Sequence, residues 1–256
     1  MADMSSGTGD PAPDLARARD LDERLRGVRA RISRAAAVAG RPEPELIVVT
    51  KYFPASDIRI LVDLGVRDVG ENRDQEAAAK ATELSDLALT WHFIGQLQTN
   101  KAKSVVRYAH SVHSVDRNAL IGALGKAMAN EQARRAGAGL GARPDLDCFL
   151  QFALDSGAQP DQRGGALPRD AAELAEAVVG TAGLRLAGVM AVAPLGAPPA
   201  AAFQQLLTIS AAVRAVEPSA TAVSAGMSGD LEEAVAAGAT HLRIGSDVLG
   251  PRPAVG

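Results

Sequence analysis

Leu46-Ile47-Val48-Val49-Thr50-Lys51 is an apolar, β-branched run that ends on a lysine. With turn signals on both sides, it reads as a fully buried strand over 46–50. Lysine is the wrong residue for such a core unless it points into a site at the strand's end. An amine held there, partly desolvated, loses proton affinity and can form a Schiff base with an aldehyde. The strand taken alone leaves a second reading open, in which the stem of Lys51 lies along a rim with its head in water.

Before this strand, Leu21, Leu25, Val28, Ile32 and Ala36 recur at three- and four-residue spacing, which predicts one amphipathic helix over 15–39, ended by Gly40-Arg41-Pro42. Residues 1–14, rich in Ser, Gly, Pro and Asp, lack the order of a signal peptide and read as a disordered tail. After the first strand, strands are expected at 68–69, 91–94, 111–115, 148–153, 186–192, 220–224 and 241–244. Helices are expected between them at 55–64, 73–84, 100–108, 117–135, 168–180, 199–216 and 230–237. Segments 137–145 and 155–168 read as Gly/Pro-rich loops. Strict alternation implies parallel strands joined by right-handed crossovers. Eight such units in 256 residues predict an α/β chain folded as a single-domain (β/α)8 TIM barrel over 15–256. The helix that precedes every strand is expected to fill a gap in the outer ring. An open doubly wound sheet is the competing layout, but no Gly-x-Gly-x-x-Gly follows the first strand.

Bulk properties exclude several classes. The net charge is −3 with no basic block, and aromatic residues make up 3% of the chain, so nucleic acid has neither an electrostatic nor a stacking surface. No apolar run approaches membrane-spanning length. Cys148 is the only cysteine; it reads as a buried structural thiol, and the lack of a disulfide framework fits a reducing, cytoplasmic setting. His92, His110, His113 and His241 show no metal-ligand spacing. A lone histidine such as His92, near a predicted strand end, reads as a hydrogen-bonded core residue rather than a catalyst. No nucleophile elbow or Walker loop is present.

Chemistry is expected where strands end, on the C-terminal face of the barrel. Ser224-Ala225-Gly226-Met227-Ser228-Gly229-Asp230 follows the seventh strand. Its glycines let backbone amides approach a ligand, its hydroxyls can donate, and it opens a helix, so it suits an anion. Asp230 with Glu233 also reads as a plain helix cap. Arg243-Ile244-Gly245-Ser246 ends the eighth strand. Loops after strands seven and eight commonly seat a phosphate in barrels, and small-residue turns at both positions favour that use here. The bland alternative for Arg243 is a rim salt bridge.

These segments, together with Gly70-Glu71-Asn72-Arg73, Trp91-His92-Phe93-Ile94-Gly95 and Gly188-Val189-Met190, resemble the pyridoxal phosphate homeostasis proteins, the YggS/PROSC family. The resemblance runs from about Leu15 to Pro251. It implies a barrel like the N-terminal domain of alanine racemase, with pyridoxal 5′-phosphate (PLP) held as an internal aldimine on Lys51. Ser228, Gly245 and Ser246 would hold the phosphate, and Ser224 and Gly226 would shape that turn. Arg243 would face the pyridine nitrogen, with Asn72 and Met190 near the ring. Two positions depart from the family's pattern. Ala225 replaces a larger apolar residue, and Gln151-Phe152-Ala153 lacks an asparagine at its third position.

An arginine beside the ring nitrogen disfavours its protonation and weakens the electron sink. Racemisation also needs an acid/base on each ring face, which alanine racemase takes from a second domain not expected here. The expectation is therefore a PLP-binding protein that buffers the cofactor or delivers it to apo-enzymes, as a monomer or weak dimer, without a dedicated reaction. The alternatives are a single-domain PLP-dependent racemase or deaminase, with His92 or a partner chain as second base, and an interaction protein that uses its charged first helix.

Overall fold

In a computed structural model, which describes residues 15–154, 164–194, 196 and 198–252, the strand opened by Glu45 is hydrogen-bonded on both sides to parallel neighbours. The eight strands are β1 (Glu45–Val49), β2 (Asp68–Glu71), β3 (Thr90–Phe93), β4 (Ser111–Val115), β5 (Leu146–Gln151), β6 (Leu184–Met190), β7 (Ala222–Ser224) and β8 (His241–Ile244). They pair in sequence order and close through β8 on β1, with Leu46 opposite Leu242 and Ile47 opposite Arg243. The chain is thus the expected (β/α)8 barrel. Residues 1–14, expected as a tail, and most of the loop at 155–168 lie outside the described residues.

The helices are α1 (Leu15–Ala39), α2 (Ala55–Asp63), α3 (Asp74–Glu83), α4 (Ala102–Val105), α5 (Asn118–Gly137), α6 (Ala171–Val179), α7 (Pro199–Val216), α8 (Leu231–Ala237) and α9 (Ser246–Leu249). The apolar stripe of α1 is buried at the five positions its spacing indicates. This helix packs on α8, α9 and α2 and so closes the outer ring. One helical expectation is corrected. Residues 100–108 form a 3-10 turn (Thr99–Lys101) and the single turn of α4 rather than one helix. The short α9 carries no readable periodicity.

Side chains alternate along the strands, with register shifts between Val112 and Val115 where β4 meets β5 and between Cys148 and Phe149 where β5 meets β6. Val48, Val69, Trp91, Val112, Leu150, Val223 and Leu242 face the helices and belong to the main apolar core. The barrel interior is different. A small apolar cluster of Phe149, Ala187 and Met190 shares it with His92, His113, Ser224 and Arg243, which are hydrogen-bonded to partners across the interior. Strand β5 begins two residues before its predicted start, because the inward Asp147 is paired with Arg185 and His110 and a carboxylate can then sit in a strand.

Candidate functional site

Lys51 lies just beyond β1, on the C-terminal face. The peptide before it is fixed from below. Thr50 is fully buried, its hydroxyl donates to Glu71 Oε1 at 2.7 Å, and its carbonyl oxygen accepts from Lys80 Nζ at 2.8 Å. Lys80 also donates to Glu71 Oε1 and Glu76 Oε1, each at 2.7 Å. Burial pushes the Glu71 carboxyl above its ordinary range, with Lys80 opposing that rise. The residue after Lys51 is Tyr52, with φ of 70°, the only non-glycine residue with positive φ among those described. Its N–H donates to Glu76 Oε1 at 2.7 Å, which holds it in that sparsely populated region. The chain therefore turns sharply at the lysine, and the Lys51 ammonium stands 5.8 Å from the Tyr52 ring centre.

A cavity of about 360 Å³ opens there, lined among others by Lys51, Tyr52, Ser228, Arg243, Gly245 and Ser246. These residues come from both ends of the chain and meet only because β8 closes on β1. The Ser228 and Ser246 hydroxyls, from the turns after β7 and β8, lie 3.4 Å apart. Gly226 makes the first turn possible. Its φ is 95°, and a Cβ on it would lie 2.6 Å from both Ala234 Cβ and Leu242 Cδ2. Asp230 does not cap α8 with its side chain; its Oδ1 instead accepts the Met227 N–H at 2.6 Å and closes the turn. Behind both turns stands Arg31 of α1. It donates to Ser228 O at 3.1 Å and pairs with Asp247 at 2.7 Å and Glu232 at 2.9 Å. One guanidinium thus ties α8, α9 and the β7 turn to the first helix.

Arg243 forms part of the cavity wall from inside the barrel. It is 5% exposed and donates to Ser224 Oγ at 2.6 Å and to Ala191 O at 2.9 Å. Among the described residues no carboxylate lies within ion-pair distance of it, so it is not a rim salt bridge. Burial draws its pKa down to about 10, which leaves it a cation at neutral pH.

The cavity brings together Lys51, Ser228, Arg243, Gly245 and Ser246. Ser224 and Gly226 stand behind that lining, as support for Arg243 and for the turn. Asn72 and Met190 do not line it. Asn72 faces a separate cleft with Arg73, Gln96 and Lys101, and Met190 is buried in the interior cluster with Phe149. Gly95 lets Asn72 sit where it does, since a Cβ there would come within 2.3 Å of the Asn72 carbonyl oxygen. Ala225 is buried and its N–H bonds His241 O at 3.1 Å, while Gln151 donates to Gly164 O at 3.3 Å. His92 is a hydrogen-bonded interior residue, at 3.0 Å from Asp68 and 3.1 Å from His113. Cys148 is fully buried and burial raises its thiol pKa, so it is no nucleophile. Among the described residues no group of His, Cys, Asp and Glu could hold a metal. None of their helices is long and apolar enough to cross a membrane.

Sequence reasoning missed Lys80, Glu76, Tyr52 and Arg31. A charged residue on a helix carries no mark of burial, and a strained φ leaves none on a tyrosine. Glu71 lay within a recognised segment without a role.

Known proteins share this sequence pattern and fold. Residues 24–253 match the family model described as alanine racemase, N-terminal domain. The chain is 41% identical over 251 residues to the pyridoxal phosphate homeostasis protein of Mycobacterium tuberculosis, covering 91% of this chain and 93% of that one. Its barrel superposes with a TM-score of 0.74 on PipY of Synechococcus elongatus, solved with PLP bound, at 34% identity over 90% of this chain and all of that one. Alanine racemase of Corynebacterium glutamicum, 11% identical, shares the fold over 90% of this chain and 60% of its own length, with a TM-score of 0.64.

Proposed function

The chain belongs to the alanine racemase N-terminal-domain family and, within it, to the pyridoxal phosphate homeostasis proteins, and from that premise we propose that the Lys51 cavity holds PLP and that the protein keeps or delivers this cofactor for other enzymes. The observation that carries the reading is the convergence of three unlike groups on one cavity: an amine, a hydroxyl pair in small-residue turns, and a buried cation.

The donor set fits the cofactor part by part. The Lys51 amine suits its aldehyde. The Ser228 and Ser246 hydroxyls, with Gly245 and the turn that Gly226 permits, suit its phosphate. Arg243 suits a pyridine nitrogen that accepts rather than donates. Bound there, PLP supplies an electrophilic aldehyde and an electron-accepting ring.

The same residues favour a carrier over a catalyst. Arg243, a cation at neutral pH, opposes a second positive charge on the ring nitrogen, which weakens carbanion stabilisation. The second base that a racemase needs is not His92, which is 4% exposed and engaged inside the barrel. A cytoplasmic location, and apo-enzymes as recipients, follow from the same reading. Incubated with PLP, the purified protein is expected to gain a near-visible absorption band. Borohydride should fix the cofactor to the Lys51 peptide, and Lys51→Ala should show neither. Label on another lysine would overturn the assignment. Exchange of the α-proton of added amino acids at enzyme-like rates would restore the racemase alternative.

A further inference from the structure

Six side chains run through the barrel interior as one hydrogen-bonded file. Arg243 Nη1 meets Ser224 Oγ at 2.6 Å, and Ser224 Oγ meets His113 Nδ1 at 2.9 Å. His113 Nε2 lies 3.0 Å from Ser111 Oγ and 3.1 Å from His92 Nδ1. Ser111 Oγ is 2.6 Å from that same Nδ1, and His92 Nε2 is 3.0 Å from Asp68 Oδ1. The file starts at the cavity and ends at the opposite end of the barrel, where Asp68 opens β2.

Both ends are polar in one sense only. A guanidinium can only donate, and a carboxylate only accepts. From the Arg243 end, Ser224 Oγ receives a proton and gives its own to His113 Nδ1, so His113 carries its proton on Nε2. From the Asp68 end, His92 Nε2–H donates to the carboxylate and its Nδ1 faces the Ser111 hydroxyl proton at 2.6 Å, which leaves Ser111 Oγ to accept from His113 Nε2–H at 3.0 Å. The two derivations meet at Ser111 without conflict. The reverse tautomer of His113 would give Ser224 Oγ two donors and leave its own proton unpaired at a fully buried site. It would also set two ring lone pairs against each other at 3.1 Å. Burial and the nearby Arg243 charge hold His113 neutral, and Phe149, stacked at 4.0 Å, fixes its plane.

We propose that His113 is a positioning residue for Arg243: by taking the Ser224 proton it keeps a serine lone pair on the guanidinium and so holds the cation aimed at the cavity. The consequence for the cofactor rests on the reading given under Proposed function; the direction of the file does not.

Long-range ¹H–¹⁵N spectra of the free protein at neutral pH test the direction. His113 is expected as the neutral Nε2–H tautomer, and an Nδ1–H or cationic form of it overturns the file. In His113→Leu, with the fold checked by circular dichroism, exchange of the Arg243 guanidinium protons should rise roughly fivefold, the effect of one lost hydrogen bond. His113→Asn, which keeps an acceptor, should restore most of the protection. Unchanged exchange in the leucine variant overturns the positioning role. In the PLP-loaded protein, the leucine variant should also move the absorption maximum, because the ring environment changes. A wild type that takes up no PLP would end the cofactor reading and leave both spectroscopic tests of the file intact.

Discussion

Lys80 Nζ donates to the carbonyl oxygen of Thr50 at 2.8 Å, so a buried ammonium from α3 holds the peptide that carries Lys51. The same ammonium neutralises Glu71, whose side chain is 1% exposed. Truncating one partner strands the other as an unpaired charge. Lys80→Ala is therefore expected to cost about 3–5 kcal/mol in urea denaturation. Replacing both, as Lys80→Met with Glu71→Leu, should recover much of that stability. PLP uptake should not recover with it, since the Thr50 carbonyl and hydroxyl lose their anchors and Glu76, which holds the Tyr52 turn, loses its Lys80 partner. Full uptake by a stable double variant would show that the buried cluster serves stability alone.

Gly226→Ala tests the turn after β7. Positive φ and a Cβ pressed to 2.6 Å from two core carbons act together, so the expected loss is about 1–3 kcal/mol. Because the turn positions Ser228, PLP affinity should fall further than stability does. Fluorescence or absorbance titration with PLP measures the first, and thermal melting the second.

Arg31→Ala separates anchoring from folding in the opposite proportion. The side chain is a third exposed and its ion pairs are worth about 1 kcal/mol or less to stability. It ties down both turns that carry Ser228 and Ser246, however, so PLP binding should weaken by roughly tenfold, as expected for loosened preorganisation. A melting temperature that drops sharply with affinity unchanged would refute this division.

A pH-dependent stability term is expected from the N-terminal end of the barrel. The hydrogen bond to Asp147 holds His110 above its ordinary pKa. Asp147, despite its burial, is kept below its ordinary pKa by His110 and Arg185. A histidine raised on folding stabilises fully below its unfolded value of about 6.5 and loses that stability as pH rises through the folded value. His110 is half exposed, so screening limits the term to about 1 kcal/mol or less. Urea midpoints of the wild type should therefore fall relative to those of His110→Asn between slightly acid and mildly alkaline pH. The Asp147 share runs the other way and is lost only in acid, as pH falls through its depressed pKa. Parallel midpoint curves for the two proteins across neutral pH would remove His110 as the source.

Gly188→Ala should break the barrel at one seam. A Cβ there would lie 1.8 Å from the Ala222 carbonyl oxygen of β7. No rotamer relieves a clash with backbone, so β6 and β7 would have to part, and little soluble folded protein is expected on expression. A normally folded variant would mean that the two strands can separate locally without loss of the barrel.

Much of this was legible in the chain. Alternating strand and helix patterns mark a parallel barrel because each element must show its own hydrophobic period to bury one face. Lys51 stood out because a lysine is unusual on a buried strand, and Ser228, Arg243, Gly245 and Ser246 because they lie in the small-residue segments after strands seven and eight, where a barrel places its chemistry. Asn72 drew attention as a polar residue near a strand end and Met190 by resemblance, yet they face a neighbouring cleft and the barrel interior. The start of β5 was hidden because Asp147 breaks an apolar run. Only its pairing with Arg185, 38 residues away, makes a strand of it.

By itself, then, the sequence determined the architecture and the chemical types at the strand ends, because local periodicity and residue chemistry act over a few residues. What tertiary structure alone decided is which ordinary side chains serve those ends. Lys80 reaches Thr50 across 30 residues, Arg31 reaches Ser228 across 197, and His113 reaches Ser224 across 111. Their roles arise from closure of the barrel, which brings distant groups into a water-poor interior where each polar atom must find a partner. No local pattern records that requirement.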